Sequence, residues 1–367
     1  MASRDSIQDG RLNLKAEEWV EVRSREEILA TLDEHGRLEN LPFMPEMLQY
    51  CGQKFRVFKR ADKTCDNIQA WSIRRMKHAV HLHGVRCDGT GHDGCQAGCL
   101  IFWKEAWLKR ADGNTVAGAS LGKQRASTKG SGECCSLCTV EGMLKASKAS
   151  TSQGETVYSC QATELRNFTS YMRALDPRQY VRDVRSGNLS RQLAGDSKAA
   201  HRLEMVLAVV ELLRAGVIGL FNRVQERRGC AQYPPFWGQQ KKTPLEILDL
   251  QPGELVQVRS KEEILATLDQ SRKNRGLYFG VEMLHYCGGI YRVLRRVHHI
   301  IDEKTGKMLD MKYPCIVLDG VWCQSADYHQ FCPKAIYHYW REIWLERAEG
   351  VKVPAISEQV HETCGKC

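Results

Sequence analysis

Four cysteines in the first hundred residues, Cys65, Cys87, Cys95 and Cys99, surround a glycine-rich run, Asp88-Gly-Thr-Gly-His-Asp-Gly-Cys-Gln-Ala-Gly98. Glycine lets a backbone fold back sharply, so four thiolates spaced this way can close around one tetrahedral ion. They can equally ligate an iron–sulfur cluster, and His92 can stand in for one sulfur. A second group holds Cys134, Cys135, Cys138 and Cys160. Cys135 and Cys138 have the CxxC spacing that turns two thiolates toward one ion, and Cys160 precedes Gln161-Ala-Thr-Glu164, where a helix N-terminus would favour the thiolate. This group predicts a [4Fe–4S] cluster with one iron open to substrate. A structural zinc knuckle and a vicinal redox pair at Cys134 and Cys135 are its alternatives. The pair Cys364 and Cys367 repeats the spacing, with no further ligand after it.

The scaffold that must position these residues occurs twice. Val22-Arg-Ser-Arg-Glu-Glu-Ile-Leu-Ala-Thr-Leu-Asp33 returns as Val258-Arg-Ser-Lys-Glu-Glu-Ile-Leu-Ala-Thr-Leu-Asp269, identical at eleven of twelve positions and offset by 236 residues. Met47-Leu-Gln-Tyr-Cys-Gly52 matches Met283-Leu-His-Tyr-Cys-Gly288, and Gly84-Val-Arg-Cys87 matches Gly320-Val-Trp-Cys323. Each copy closes on one phrase, Trp103-Lys-Glu-Ala-Trp-Leu-Lys-Arg110 and Trp340-Arg-Glu-Ile-Trp-Leu-Glu-Arg347. What differs is chiefly cysteine and histidine. Cys323 and Cys332 keep the places of Cys87 and Cys95, Ile336 replaces Cys99, and His298 and His299 fall near the place of Cys65. A mixed site of His299, Cys323 and Cys332, with Cys315 and His329 as local candidates, would suit zinc better than a cluster. Packing cysteines in a decayed copy are the alternative. Cys51, Cys287 and Cys230 read as packing residues.

In each copy a short β-like stretch leads into Ser-x-x-Glu, a capping box that starts a helix over residues 25–32 and again after Ser260. Residues 55–58, 80–85 and 102–108 carry the alternation and β-branched or aromatic content of short strands. The layout resembles, at the level of fold only, an SH3-like barrel, and a generic α+β module is the alternative. The expected organisation is α+β, with two duplicated small SH3-like β-barrel modules at residues 12–112 and 241–349. Between them lie a cysteine-containing linker, 113–160, and a helical middle, 161–240. A tail, 350–367, follows. In the middle, residues 162–175 read as helical, and residues 198–214 and 217–227 as a helical pair with a glycine break.

Sixteen cysteines in a chain of 367 residues, which is long enough to bury proper cores, argue for ligation or redox chemistry in a reducing compartment. The first residues lack the apolar core of a signal peptide, and the most apolar run is broken by Glu204, Glu211 and Arg214, so the expectation is a cytoplasmic chain without a membrane span. A formal charge of +9 favours no partner class. No Walker loop, Rossmann fingerprint, nucleophile elbow or His-Glu-x-x-His helix is present. His78, His81 and His83 form a small cluster better read as core or surface residues, and the tryptophans as core.

The expected function is a cysteine-ligated metalloprotein enzyme, with an iron–sulfur cluster or zinc as cofactor. It would do Lewis-acid, sulfur-transfer or redox work on a small-molecule or carrier-bound substrate. His92, Asp93 and Glu164 are the candidate acid/base groups by proximity in sequence. The competing expectation is a zinc-stabilised tandem-barrel binding module for nucleic acid or a protein, without catalysis. Nucleic acid is the less favoured partner because each module is also rich in acids.

Overall fold

Ser24 and Ser260 close the two capping boxes. Each side chain accepts the backbone N–H of the glutamate three residues on, and Glu27 and Glu263 reach back to the serine N–H, starting helices Arg25–Leu29 and Lys261–Leu265. Each helix is short, because it need only deliver one buried isoleucine, Ile28 or Ile264, to a core. The computed structural model describes residues 11–69, 72–111, 138–151, 154–173, 176–188, 198–228, 233, 236–325 and 331–348.

The fold is mixed α+β with antiparallel sheets. In the N-terminal module, strand Trp19–Val22 lies between Lys54–Arg60 and Leu108–Arg110, and Ala79–Leu82 and Trp103–Lys104 extend the sheet, which curls around its core as a half-barrel. In the C-terminal module, Leu255–Val258 lies between Ile290–Ile301 and Leu345–Arg347. The pairings correspond: Val20 faces Phe55 and Arg110, and Val256 faces Tyr291 and Arg347.

The recurring tryptophans are fully buried. Phe43 meets Trp107 edge-on at 5.1 Å, and Phe279 meets Trp344 at 5.3 Å. The indole N–H groups of Trp107 and Trp344 donate to Thr31 Oγ1 and Thr267 Oγ1, so burial leaves neither of these polar edges unpaired. Residues 102–108, expected as one strand, are split: strand Trp103–Lys104 gives way to a 3-10 turn, Glu105–Trp107, before Leu108–Arg110. The turn keeps both indoles on the inner face, where alternation would also put them, and buries Glu105 between them.

Two helical expectations are corrected. The run at 162–175 is a single turn, Leu165–Phe168, followed by strand Ser170–Met172, because Ile73–Arg75 offers that segment a strand edge and Arg74 binds the carbonyls of Arg166 and Thr169. The expected helical pair is one helix, Lys198–Arg228, which continues through Gly216 and Gly219. Glycine inside a helix costs only about 1 kcal/mol, too little to end so long an element. Among the described residues no helix is long and apolar enough to cross a membrane.

The two halves meet through a hairpin from each, a separate pair of short strands in the N-terminal half and the prolonged ends of two sheet strands in the C-terminal half. Lys63–Cys65 and Ile73–Arg75 carry Cys65 to the C-terminal module, where its N–H donates to Cys332 Sγ at 3.1 Å. The long hairpin Ile290–Ile301 and Met308–Leu318 reaches back, and the Ile301 N–H donates to Cys95 Sγ at 3.4 Å. Positions 65 and 301 are related by the 236-residue offset, as are Asn67 and Glu303, which bond to each other at 2.7 Å. Arg86 closes the junction by donating to the carbonyls of Gly98 and Ala335, each at 2.9 Å.

Candidate metal centre and its cavity

Cys87 leaves the sheet after Ala79–Leu82, and its N–H donates to the Cys99 carbonyl at 2.8 Å, closing the loop between them. The loop doubles back as its glycines suggested. Gly89 has φ +79°, and a Cβ there would lie 2.1 Å from the Cys95 carbonyl oxygen, so only glycine fits. The fold-back buries His92, at the end of the short turn Thr90–His92. Opposite stands Glu46, buried on the 3-10 helix Pro45–Tyr50.

The three side chains meet. Cys87 Sγ donates to Glu46 Oε1 at 3.0 Å, His92 Nδ1 lies 3.2 Å from the same oxygen, and donor atoms of all three lie within 4.8 Å of one another. Two buried atoms of the group, Glu46 Oε2 and His92 Nε2, have no hydrogen-bond partner among the described residues. Burial works to raise the Glu46 carboxyl, but the bonds from His92 and Cys87 and the His92 charge outweigh it and hold it below its ordinary range. Burial, and then the Glu46 charge, push the Cys87 thiol far up. Without a cation the group is therefore a neutral thiol bonded to a carboxylate, a poor nucleophile; with one, sulfur, nitrogen and oxygen donors are all in place.

Glu46 is the residue the sequence reading missed. It stands one position before the shared phrase that begins at Met47 and recurs as Glu282 before Met283, so extending the repeat by one residue would have found it. In the C-terminal module burial, and then the Glu282 charge, push the Cys323 thiol up to about 12, so the glutamate–cysteine neighbourhood recurs there. His329 lies outside the described residues.

Cys87 and His92 open onto a cavity of 430 Å³, also lined by Cys95, Cys99, Cys160 and Lys334. Its far wall comes from the long C-terminal hairpin through Ile300, Ile301 and Leu309. Burial, and then the Glu303 charge, push Cys99 up to about 12, and burial pushes Cys160 up to about 11.

The structure thus regroups the expected ligands. Cys160, expected with Cys138, shares the cavity with Cys87, Cys95 and Cys99. Cys138 lies instead beside Gly36 and Asp33, and Cys134 and Cys135 fall outside the described residues, as do Cys230, Cys364 and Cys367. Cys65 is buried against Cys332. Hydrogen bonds from Cys65 and the Lys334 N–H, with the Lys334 charge, overcome burial and favour the thiolate at Cys332, while Cys65 is held as the thiol. His299 is bonded through Nε2 to the Gly94 carbonyl at 3.0 Å, away from Cys332. Of the expected acid/base groups only His92 reaches the cavity. Asp93 is turned outward to Lys148 and the Tyr158 hydroxyl, and Glu164 accepts from Ser159 Oγ and pairs with Arg37. His81 is a core residue that burial pulls down to about 3, its Nδ1 bonded to the Ile101 carbonyl.

Gly91 tests the tightness of the group, because a Cβ there would lie 2.5 Å from Glu46 Oε2. Gly91→Ala is expected to displace the carboxylate and weaken zinc binding by about tenfold or more, the scale on which misplaced ligands act, as read by competition with a chromogenic chelator. No protein-family model, curated protein or solved structure matches the chain.

Proposed function

We propose that the chain is a zinc-dependent enzyme in which Cys87, His92 and Glu46 hold the ion and leave one coordination position facing the cavity. Three protein ligands with an open fourth place is the arrangement of catalytic rather than structural zinc. The ion would supply Lewis-acid chemistry, polarising a carbonyl or lowering the pKa of a bound water, on a small-molecule or carrier-bound substrate. The observation that carries this reading is the convergence of three different donor types, two of whose buried atoms have no hydrogen-bond partner among the described residues. We further infer that the two modules are duplicated SH3-like barrels, on the strength of their matching strand registers. The described cysteines, none of them in a disulfide, support a reducing, cytoplasmic setting.

A second reading has its own observation. Cys87, Cys95, Cys99 and Cys160 line one cavity, and four thiolates are the ligand set of an iron–sulfur cluster. The non-catalytic binding module is less favoured, because a concave cavity of this volume suits a small molecule better than a polymer. Metal analysis and visible absorption of anaerobically purified protein separate the cases. Colourless protein with about one zinc per chain supports the first, and brown protein with iron and acid-labile sulfide supports the second. Protein with neither metal overturns both.

A further inference from the structure

We propose that the cavity takes a small monocarboxylate with an apolar body, its carboxylate against Lys334 Nζ and its body along Ile101, Phe102, Ile300 and Leu309. Lys334 is only 4% exposed and lines the chamber. Its Nζ makes no hydrogen bond among the described residues. Glu303 Oε1, the carboxylate oxygen paired with it, stands 3.6 Å away and already accepts from Asn67 Nδ2 at 2.7 Å. Buried N–H donors at the chamber wall thus have the Glu303 carboxylate nearby as counter-charge but no acceptor within hydrogen-bond reach among the described residues, an arrangement that a ligand would complete. A carboxylate oxygen supplies an acceptor of opposite charge, and bonds of that kind are about twice as strong as neutral ones.

The walls set the rest of the ligand. Ten of the twenty-four lining residues are isoleucine, leucine, phenylalanine or alanine, enough to flank an apolar body, and 430 Å³ is the size of a small-molecule site, roughly 300–1,000 Å³. A doubly charged phosphate fits poorly. Asp302 and Glu303 also line the wall and would repel a dianion more strongly than a monoanion. Lys334 belongs to the C-terminal module while Cys87 and His92 belong to the N-terminal one, so such a ligand would be anchored by one module and presented to donors on the other. The inference takes from the proposed function the chamber as the place of reaction, but binding of the carboxylate needs no metal.

Octanoate and 1-octanol, titrated calorimetrically into the full chain, test it. Octanoate should bind one per chain, about tenfold or more tighter than 1-octanol, and Lys334→Met should lose that difference while keeping the wild-type melting temperature. Equal binding of the two probes to wild type, or unchanged octanoate binding by Lys334→Met, overturns the proposal. Should Lys334→Met fail to fold, Ala97→Phe, which fills the chamber from its wall, should abolish octanoate binding; retained binding overturns the proposal equally. The Cys87→Ser chain separates the two readings, since it should lose metal and keep octanoate. Octanoate binding to a protein that never holds metal would sink the zinc reading and leave this one standing.

Discussion

Cys87→Ser is expected to leave the chain folded but without stoichiometric zinc after desalting, while wild type retains about one ion. Serine preserves the backbone bond from residue 87 to the Cys99 carbonyl and can still donate to Glu46, so the scaffold has little reason to move. What it removes is the soft anionic donor. The wild-type site should also be strongly pH-dependent, and the sign follows from the thiol. Burial and the Glu46 charge raise the Cys87 thiol above its ordinary range, so throughout the neutral range the metal must displace its proton. Apparent affinity should therefore fall about tenfold for each pH unit of acidification, with one proton released per thiolate formed, measurable in weakly buffered dye solution. Affinity independent of pH, or full zinc retention by Cys87→Ser, would remove Cys87 from the ligand set.

Which parts of this centre could be foreseen follows from the range of the forces involved. The fold-back of residues 88–98 was legible because it is local: Gly89 is obligatory by its φ and by the nearness of the Cys95 carbonyl, and glycine spacing announces that. The capping boxes were legible for the same reason. The partners of the cysteines were not, since they are chosen by the way two modules pack. Cys65 looks like a ligand for its neighbours at 87, 95 and 99, yet the hairpin that bears it extends to Cys332, 267 residues away in sequence. The long helix shows the opposite limit: glycines at 216 and 219 weaken it locally without ending it.

The same packing explains why the chamber belongs to both modules. In the N-terminal module the hairpin is short and its first strand ends at Cys65, whereas in the C-terminal module the corresponding strands run twelve and eleven residues and place Ile301 at the matching position. Isoleucine contributes a wall where cysteine contributes a thiol. One side of the junction therefore becomes a partly apolar chamber beside Cys95, and the other closes on the buried pair Cys65 and Cys332. Two segments alike in sequence and in the register of their first strand thus yield two chemically different ends.

Glu105→Ala should cost about 3–5 kcal/mol in urea denaturation, the scale for removing one partner from a buried charge pair. Glu105 is buried at the core turn, where its carboxylate accepts the N–H groups of Leu12, Asn13 and Leu14 at 2.8, 3.1 and 3.0 Å and the Arg60 guanidinium at 2.7 Å. Alanine would leave Arg60 with Asp62 as its remaining acid and strip three backbone donors of their acceptor, releasing the segment that seats Leu14 in the core. The C-terminal module repeats the device: Glu342 accepts from Leu248 N, Leu250 N and Arg296. This is the physical reason for a glutamate between the paired tryptophans, a position at which hydrophobic patterning alone would place an apolar residue. Glu342→Ala should accordingly destabilise to a similar degree. Glu105→Gln, which keeps the shape and one acceptor oxygen, should cost less than Glu105→Ala. A loss below about 1 kcal/mol for Glu105→Ala, the ordinary scale of a single mutation, would show that the N-terminal segment is held by its apolar contacts and not by this carboxylate.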